Sequence, residues 1–320
     1  MEKETEKESE TTAESHEDSL GIRANSDFSN YLEIVDIREI LGTRVKGEFF
    51  LIRYENDNNI EKDFLEFILD RITDYALKKN ERDIIAEKRT EIAKTFRLAI
   101  SRFVENPTGG EFGEIILFHL LEVYEGAVQI INKMPLKTSG KMYVHGADAL
   151  HFKIDKDGLK TFYFGESKTG PSFSKVLLES LSTVKGHKKE STYDYDVELA
   201  SGNISEDIPK ATRELIKAYL SSSGALIDKK SVHAIFLGYQ YDKLKKYEDE
   251  KLEGKELVKT VTESYRNEIN EYLKQIETKI KADSEISNDR FLFFIIPFKD
   301  IDGAKNKFMG AIKHGRAFHI

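Results

Sequence analysis

The chain has 320 residues, 39% apolar and 33% charged, and its 49 basic against 57 acidic side chains leave a formal net charge of −8. It has no Cys, which excludes disulfides, thiolate metal sites and a cysteine nucleophile. The length supports one large or two modest domains with a real core, and the overall acidity argues at first against a nucleic-acid partner.

That acidity is unevenly placed. Residues 1–19 hold eight acids, two Lys and no apolar residue beyond Met1 and Ala13, a net of −6, so the rest of the chain is close to neutral. Such a segment cannot bury enough apolar surface to offset its ordering entropy, and a disordered acidic tail is expected over residues 1–25. It lacks the basic start and apolar run of a signal peptide. No apolar run approaches the roughly 18 residues a membrane span needs. With a Cys-free composition that fits a reducing compartment, a cytoplasmic protein without a membrane partner is expected.

Residues 31–54 read as short strands and turns, with Phe49-Phe50-Leu51-Ile52 the strongest strand. Helical spacing follows in Phe64, Ile68, Ile72 and Tyr75 over 60–79, and in Ile85, Ile92, Phe96 and Ile100 over 82–104. Residues 78–102 carry eight basic against four acidic side chains. A solvated helix face is the commoner reading of such a stretch. Asn106-Pro107-Thr108-Gly109-Gly110 is a breaker cluster. It divides a mostly helical N-terminal extension over 26–106, a candidate partner-binding surface, from a main domain over 107–320.

In the main domain a helix is predicted over 111–125, a strand near 128–133 and a hairpin over 142–168. Helices follow over 172–187 and 207–221, then a buried strand over 232–239. A long helix over 256–281, a second buried strand over 291–296 and a short helix over 303–313 complete the order. Mixed helices and strands around a hairpin predict an α/β layer fold. From Gly303 onward the chain adds Lys305, Lys307, Lys313 and Arg316 without an acid. There is no phosphate-binding loop of the GxxxxGK[ST] type and no serine elbow, so the chain has no ATPase motor of its own.

The hairpin carries the chemistry. In a period of two, Asp148, Leu150, Phe152 and Ile154 share one face of the first strand, and Phe162, Phe164, Glu166 and Lys168 share one face of the second. Matching the apolar faces needs an odd loop. Lys156-Asp157-Gly158 supplies it, with Gly158 in the left-handed position. The register then sets Ile154 opposite Lys160, Phe152 opposite Phe162, Leu150 opposite Phe164 and Asp148 opposite Glu166. Opposed residues have Cβ atoms about 4.5–5.5 Å apart, where like charges repel. Two carboxylates and a lysine crowding one end of an apolar face need a partner. A hard divalent cation such as Mg²⁺ prefers those oxygens, and with Lys168 beside it the arrangement favours phosphodiester hydrolysis. Four other acid-x-Lys triplets occur, from Asp228, Asp249, Glu253 and Glu277, and none ends an alternating strand after a matched hairpin.

An Asp on one strand followed by Glu-x-Lys on the next, after a helix bearing Glu, resembles the PD-(D/E)xK nuclease superfamily. More narrowly, Gly110-Glu111-Phe112-Gly113-Glu114, His145-Gly146-Ala147-Asp148-Ala149 and Phe164-Gly165-Glu166-Ser167-Lys168 resemble the HamA-type nuclease subunit of Hachiman anti-phage defence systems. The resemblance spans about residues 107–315. Ala147 stands where the superfamily's name has Pro. The resemblance implies a restriction-endonuclease-like mixed sheet flanked by helices. It implies an Mg²⁺- or Mn²⁺-dependent deoxyribonuclease with no small-molecule cofactor. Asp148 and Glu166 would be metal ligands, Lys168 the catalytic lysine, and Glu114 the helix glutamate that reaches the metal directly or through water. It further implies a partner helicase that holds the nuclease inactive until altered or damaged DNA is engaged.

Plainer readings stand beside these. Asp148 and Glu166 can flank strands in a surface salt bridge with Lys168. Glu114 can be a helix N-terminal acid stabilised by the helix dipole, although it lies on the side of Leu117, Phe118 and Leu121. A zinc site from His145, Asp148 and His151 is disfavoured, because His151 alternates to the face opposite Asp148. Lys175, Lys188 and Lys189, in and after the helix that opens beyond Pro171, are candidate phosphate contacts or solubilising charges. A non-catalytic nucleic-acid-binding or adaptor module on the same fold is the alternative to a nuclease.

Overall fold

A computed structural model describes residues 21–55, 58–103, 110–131, 133–134, 146–189, 192–221, 231–249 and 254–317. Most of the predicted acidic tail, 1–20, lies outside the described residues. Residues 21–25 are part of the body: the Arg23 and Ala24 N–H groups both donate to the buried Glu122 carboxylate at 2.6 Å.

In chain order the described elements are β1 (Leu32–Ile40), β2 (Val45–Ile52), the short pair β3 (Tyr54–Glu55) and β4 (Asn58–Asn59), then α1 (Glu61–Asp70), α2 (Ile72–Ala76), α3 (Lys79–Glu87), α4 (Ile92–Ser101) and α5 (Gly110–Val123). There follow β5 (Val128–Gln129), β6 (Ala149–Ile154), β7 (Lys160–Gly170), α6 (Phe173–Lys189), α7 (Thr192–Gly202), α8 (Lys210–Ser221) and β8 (Ser231–Gln240). The last elements are α9 (Asp242–Asp249), α10 (Gly254–Lys281), β9 (Phe291–Phe298) and α11 (Ile301–Ala317).

Seven of the described strands form one mixed sheet in the order β1-β2-β9-β8-β7-β6-β5. Its centre, β2-β9-β8-β7, is parallel, and an antiparallel hairpin closes each side. β8 and β9 are largely apolar on both faces, as strands covered on both sides tend to be. Along β9, Phe291, Phe293 and Ile295 face one core and Leu292, Phe294 and Ile296 the other. One core is filled by α5, whose Phe112, Ile115, Ile116, Leu117, Phe118, Leu120 and Leu121 are fully buried. A helix apolar around its whole circumference belongs inside a protein. The other face is covered by α6 and by α10, with its stripe of Leu257, Val261, Tyr265, Ile269, Tyr272, Ile276 and Ile280. A third cluster seats α7 and α8 over Phe152, Phe162 and Phe164 at the β5–β7 side.

The restriction-endonuclease-like α/β architecture matches the expectation, but the N-terminal helical extension does not exist as a separate piece. β2 runs parallel to β9 in the sheet, and Phe64, Ile68, Ile72 and Ile100 share a core with α5 and α11. The physical reason is β9. It is buried along its whole length, so the backbone N–H and C=O groups on both of its edges need a strand partner; β8 supplies one and β2 the other. The two predicted N-terminal helices are four shorter ones, the first broken at Arg71 and the second where Lys88 turns extended. The expected boundary at residues 106–107 lies outside the described residues. α7 and α9 were not anticipated.

His119, on α5, is fully buried and stacks on Phe28 with ring centroids 5.0 Å apart. Neither ring nitrogen has a hydrogen-bond partner among the described residues. Burial, with Arg71 and Arg23 nearby, lowers its pKa to about 3. A base depressed in the folded state is neutral there, and its cost appears as pH falls below the unfolded value near 6.5. Urea denaturation at pH 6.5 and pH 5 should show wild-type stability falling, with about 2 kcal/mol of the loss due to His119. His119→Phe should recover that part and leave the rest, to which His151, buried and also lowered, contributes.

Candidate active site

The β6–β7 hairpin has the predicted register. Ile154 pairs with Lys160, Phe152 with Phe162 and Leu150 with Phe164, and the last described rung is Ala149 with Gly165. The loop is the three-residue Lys156-Asp157-Gly158, with Gly158 at φ +77°. The Asp155 carboxylate caps it, accepting from the Asp157 N–H at 3.0 Å and the Leu159 N–H at 2.7 Å. Apolar pairing on the buried face fixes this register, since a one-residue slip would turn either Phe152 or both Phe162 and Phe164 outward.

Past the last rung the functional side chains appear. Glu166 is 3% exposed. Lys168, two residues on and on the same face, donates to Glu166 Oε1. Asp148 does not simply oppose Glu166 in the ladder. Its Oδ2 accepts from the Ser167 N–H at 2.8 Å and from Ser167 Oγ at 3.0 Å. Oδ1 of Asp148 and Oε2 of Glu166 take no hydrogen bond from the described residues.

Glu114 approaches from the other face of the sheet. α5 lies over Gly165 and Ser167, with the Gly113 Cα packed so closely on Ser167 that a Cβ there would come within 3.0 Å of its hydroxyl. Tyr75, on α2, donates to Glu114 Oε2 at 2.9 Å. Burial, Glu114, Asp148 and Glu111 together push the Tyr75 phenol well above its ordinary value, so it stays a donor.

The electrostatics mark the site. Burial is the first cause that raises the Glu166 pKa, to about 8, and the Asp148 charge is the second; Lys168 opposes both and Glu114 adds to the rise. His187, near the end of α6, is lowered by burial while feeling Asp148, Asp196, Lys133 and Lys168. Among the described residues no three Asp, Glu or His side chains converge as a ready metal cage. The Asp148–Glu166 pair nevertheless fits a hard divalent cation: two carboxylates, each with an open oxygen, one of them destabilised by its neighbour's charge. Glu114 accepts from Tyr75 through Oε2, and its charge also acts on Glu166.

The structure therefore brings Asp148, Glu166 and Lys168 together, with Glu114 on α5 adding its charge to the rise at Glu166. His151 is fully buried on the opposite face beside Phe118, as alternation requires, and His145 lies outside the described residues. Each of the three candidate phosphate-contacting lysines has an acidic partner: Lys175 with Glu179 at 3.9 Å, Lys188 with Asp289 at 2.6 Å, and Lys189 with Glu285 at 3.3 Å. Sequence reasoning missed Ser167, Tyr75, Lys133 and Asp196. Of these only Ser167 carried a signal, as the middle residue of the Glu-x-Lys triplet.

A sheet flanked by helices on both faces, with a carboxylate pair and a lysine at the end of a central hairpin strand, defines a restriction-endonuclease-like α/β protein. The chain belongs to the HamA family, whose model matches residues 27–312. It is thus a component of a Hachiman anti-phage defence system. No curated protein matches it. No helix among the described residues is long and apolar enough to cross a membrane.

A carboxyl raised to about 8 in the folded state costs stability as pH climbs from its unfolded value near 4.5 towards 8. Glu166→Gln should therefore be the more stable protein at pH 7.5, by on the order of 4 kcal/mol, the Lys168 contact being already included in the shift. Chemical denaturation without divalent cation should show that gap closing at pH 4.5.

Proposed function

We propose that this chain is a divalent-cation-dependent deoxyribonuclease, the effector of its Hachiman system, controlled by a partner helicase. The observation that carries the reading is the buried Glu166 carboxylate, raised by Asp148, with Lys168 on the same face of β7. A destabilised acid pair beside a lysine is the kind of strain that persists where it is used. An adaptor that kept only the fold would be more stable with neutral residues there.

Asp148 and Glu166 would hold Mg²⁺ or Mn²⁺. Such an ion, once bound, polarises a phosphate oxygen and makes water a stronger nucleophile at neutral pH. Glu166 must give up its proton to bind it. Lys168, then less needed at Glu166, can turn its ammonium to the phosphate oxygens and stabilise the charge that develops there. Asp148 is held in place by two hydrogen bonds from Ser167, so its open oxygen is oriented in advance. The buried α5 face behind Ser167 excludes water from that side. The chain lacks a motor motif, which suits a division of labour with an ATP-driven partner that engages the DNA.

Plasmid DNA incubated with the protein and its partner helicase should be cut with Mg²⁺ and left intact with EDTA. Glu166→Ala and Lys168→Ala should each lower cleavage by about 10²-fold or more, the scale on which removing one electrostatic group slows such reactions. Cleavage surviving EDTA or both substitutions sinks the assignment. Independently of turnover, calorimetry in buffers of different ionisation enthalpy should show proton release on Mg²⁺ binding at pH 7. Affinity should weaken by up to about tenfold per unit as pH falls, because ligands must be deprotonated.

A further inference from the structure

The next backbone hydrogen-bonded rung after Ala149–Gly165 would be Ala147 opposite Ser167, one pair beyond Asp148 and Glu166, and it is not formed. Alternation directs these two residues at each other. The Leu150 carbonyl accepts from Ile130 on the β5 side, so Ala149 and Ala147 turn their backbone groups towards β7. Side chains take the place of the missing rung. The Ser167 N–H donates to Asp148. The Ala147 N–H donates to Asp196 Oδ2 at 2.8 Å, and the Ala147 carbonyl accepts from Lys133 Nζ at 2.8 Å. Lys133 and Asp196 also pair with each other at 2.6 Å, their side chains 12% and 0% exposed. Gly146, at φ +121°, lies against both, and a Cβ there would collide with the pair.

Continuing the ladder would satisfy the same backbone groups without burying a charge. An ion pair out of water contributes little net stability over apolar packing, so packing alone does not account for it. We propose that Lys133 and Asp196 are positioning residues of the candidate site. Their ion pair takes the Ala147 backbone out of the ladder, and this swings the adjacent Asp148 carboxylate onto Ser167 and beside Glu166. The inference rests on the nuclease reading of Asp148 and Glu166 and deepens it, by assigning what holds the first carboxylate. The pair joins two places far apart in the chain: Lys133 follows β5, and Asp196 sits on α7.

The test uses the full chain with Asp196→Asn, Lys133→Met and the double variant, which leaves no lone buried charge and so guards against unfolding. In the folded double variant the Ser167 amide should exchange with solvent about tenfold faster or more by NMR, while the Tyr163 amide within the ladder keeps its protection. Mn²⁺ titrated alone should bind about tenfold more weakly, the scale on which outer partners of metal ligands act. Lys133→Arg, which keeps the cation, should stay close to wild type in both. Unchanged Ser167 exchange in the folded double variant would make the pair a plain staple between α7 and the sheet and overturn the proposal. A wild type that neither binds Mn²⁺ nor cuts DNA sinks the nuclease reading instead, and the exchange result still decides the positioning.

Discussion

Backbone pairing between β6 and β7 ends at Ala149–Gly165, and the candidate chemistry lies in the space beyond it. Up to that rung the hairpin is held by paired amides and by Phe152 against Phe162, their ring centroids 4.9 Å apart. Beyond it the same two strands diverge, and their backbone groups are met by Asp148, Asp196 and Lys133 instead of by each other. A strand pair that stays zipped offers side chains on its faces only. One that opens under control can place a carboxylate at its end, beside the acid and lysine of the neighbouring strand.

The opened end is expensive in isolation. Glu166 is buried next to another carboxylate, and its proton affinity records the cost. The surrounding fold offsets it. Four parallel strands, of which β8 and β9 are the most apolar, sit between α5 on one side and α6 with α10 on the other. That large core tolerates a strained corner, the usual relation between a stable scaffold and a functional site. Elsewhere the buried Glu122 holds the start of the described chain through the Arg23 and Ala24 amides. The net acidity of the chain thus says little about its partners. Much of it belongs to residues 1–19, and several of the acids that remain form the site or its ion pairs.

The hairpin was legible in the sequence because strand periodicity is strict. Only one register buries Phe152, Phe162 and Phe164 together, and an odd loop ending in Gly158 closes it. Both central strands, β8 and β9, were legible as runs too apolar for any exposed position, and α10 as a stripe repeating every three or four residues. The role of residues 32–52 was not. Their alternation announces strands, but nothing local says that β2 pairs in parallel with a strand more than two hundred residues away; the two-sided burial of β9 decides it. Glu114 was correctly seen on the inner side of its helix. Its commitment to Tyr75 was invisible, because that contact joins α5 to α2 across a core no local pattern describes.

By itself, then, the sequence determined the α/β class, the hairpin register, the grouping of Glu166 with Lys168 and the absence of thiol chemistry. All of these follow from side-chain type and from periods of two or about four residues, which act over short stretches of chain. Tertiary structure alone decided that the N-terminal strands complete the sheet, that Asp148 turns onto Ser167, and that a lysine and an aspartate 63 residues apart occupy the place of the missing rung. These depend on which buried donors and acceptors find partners once the layers close, and a buried polar group takes whichever partner the fold brings within reach, however distant in the chain.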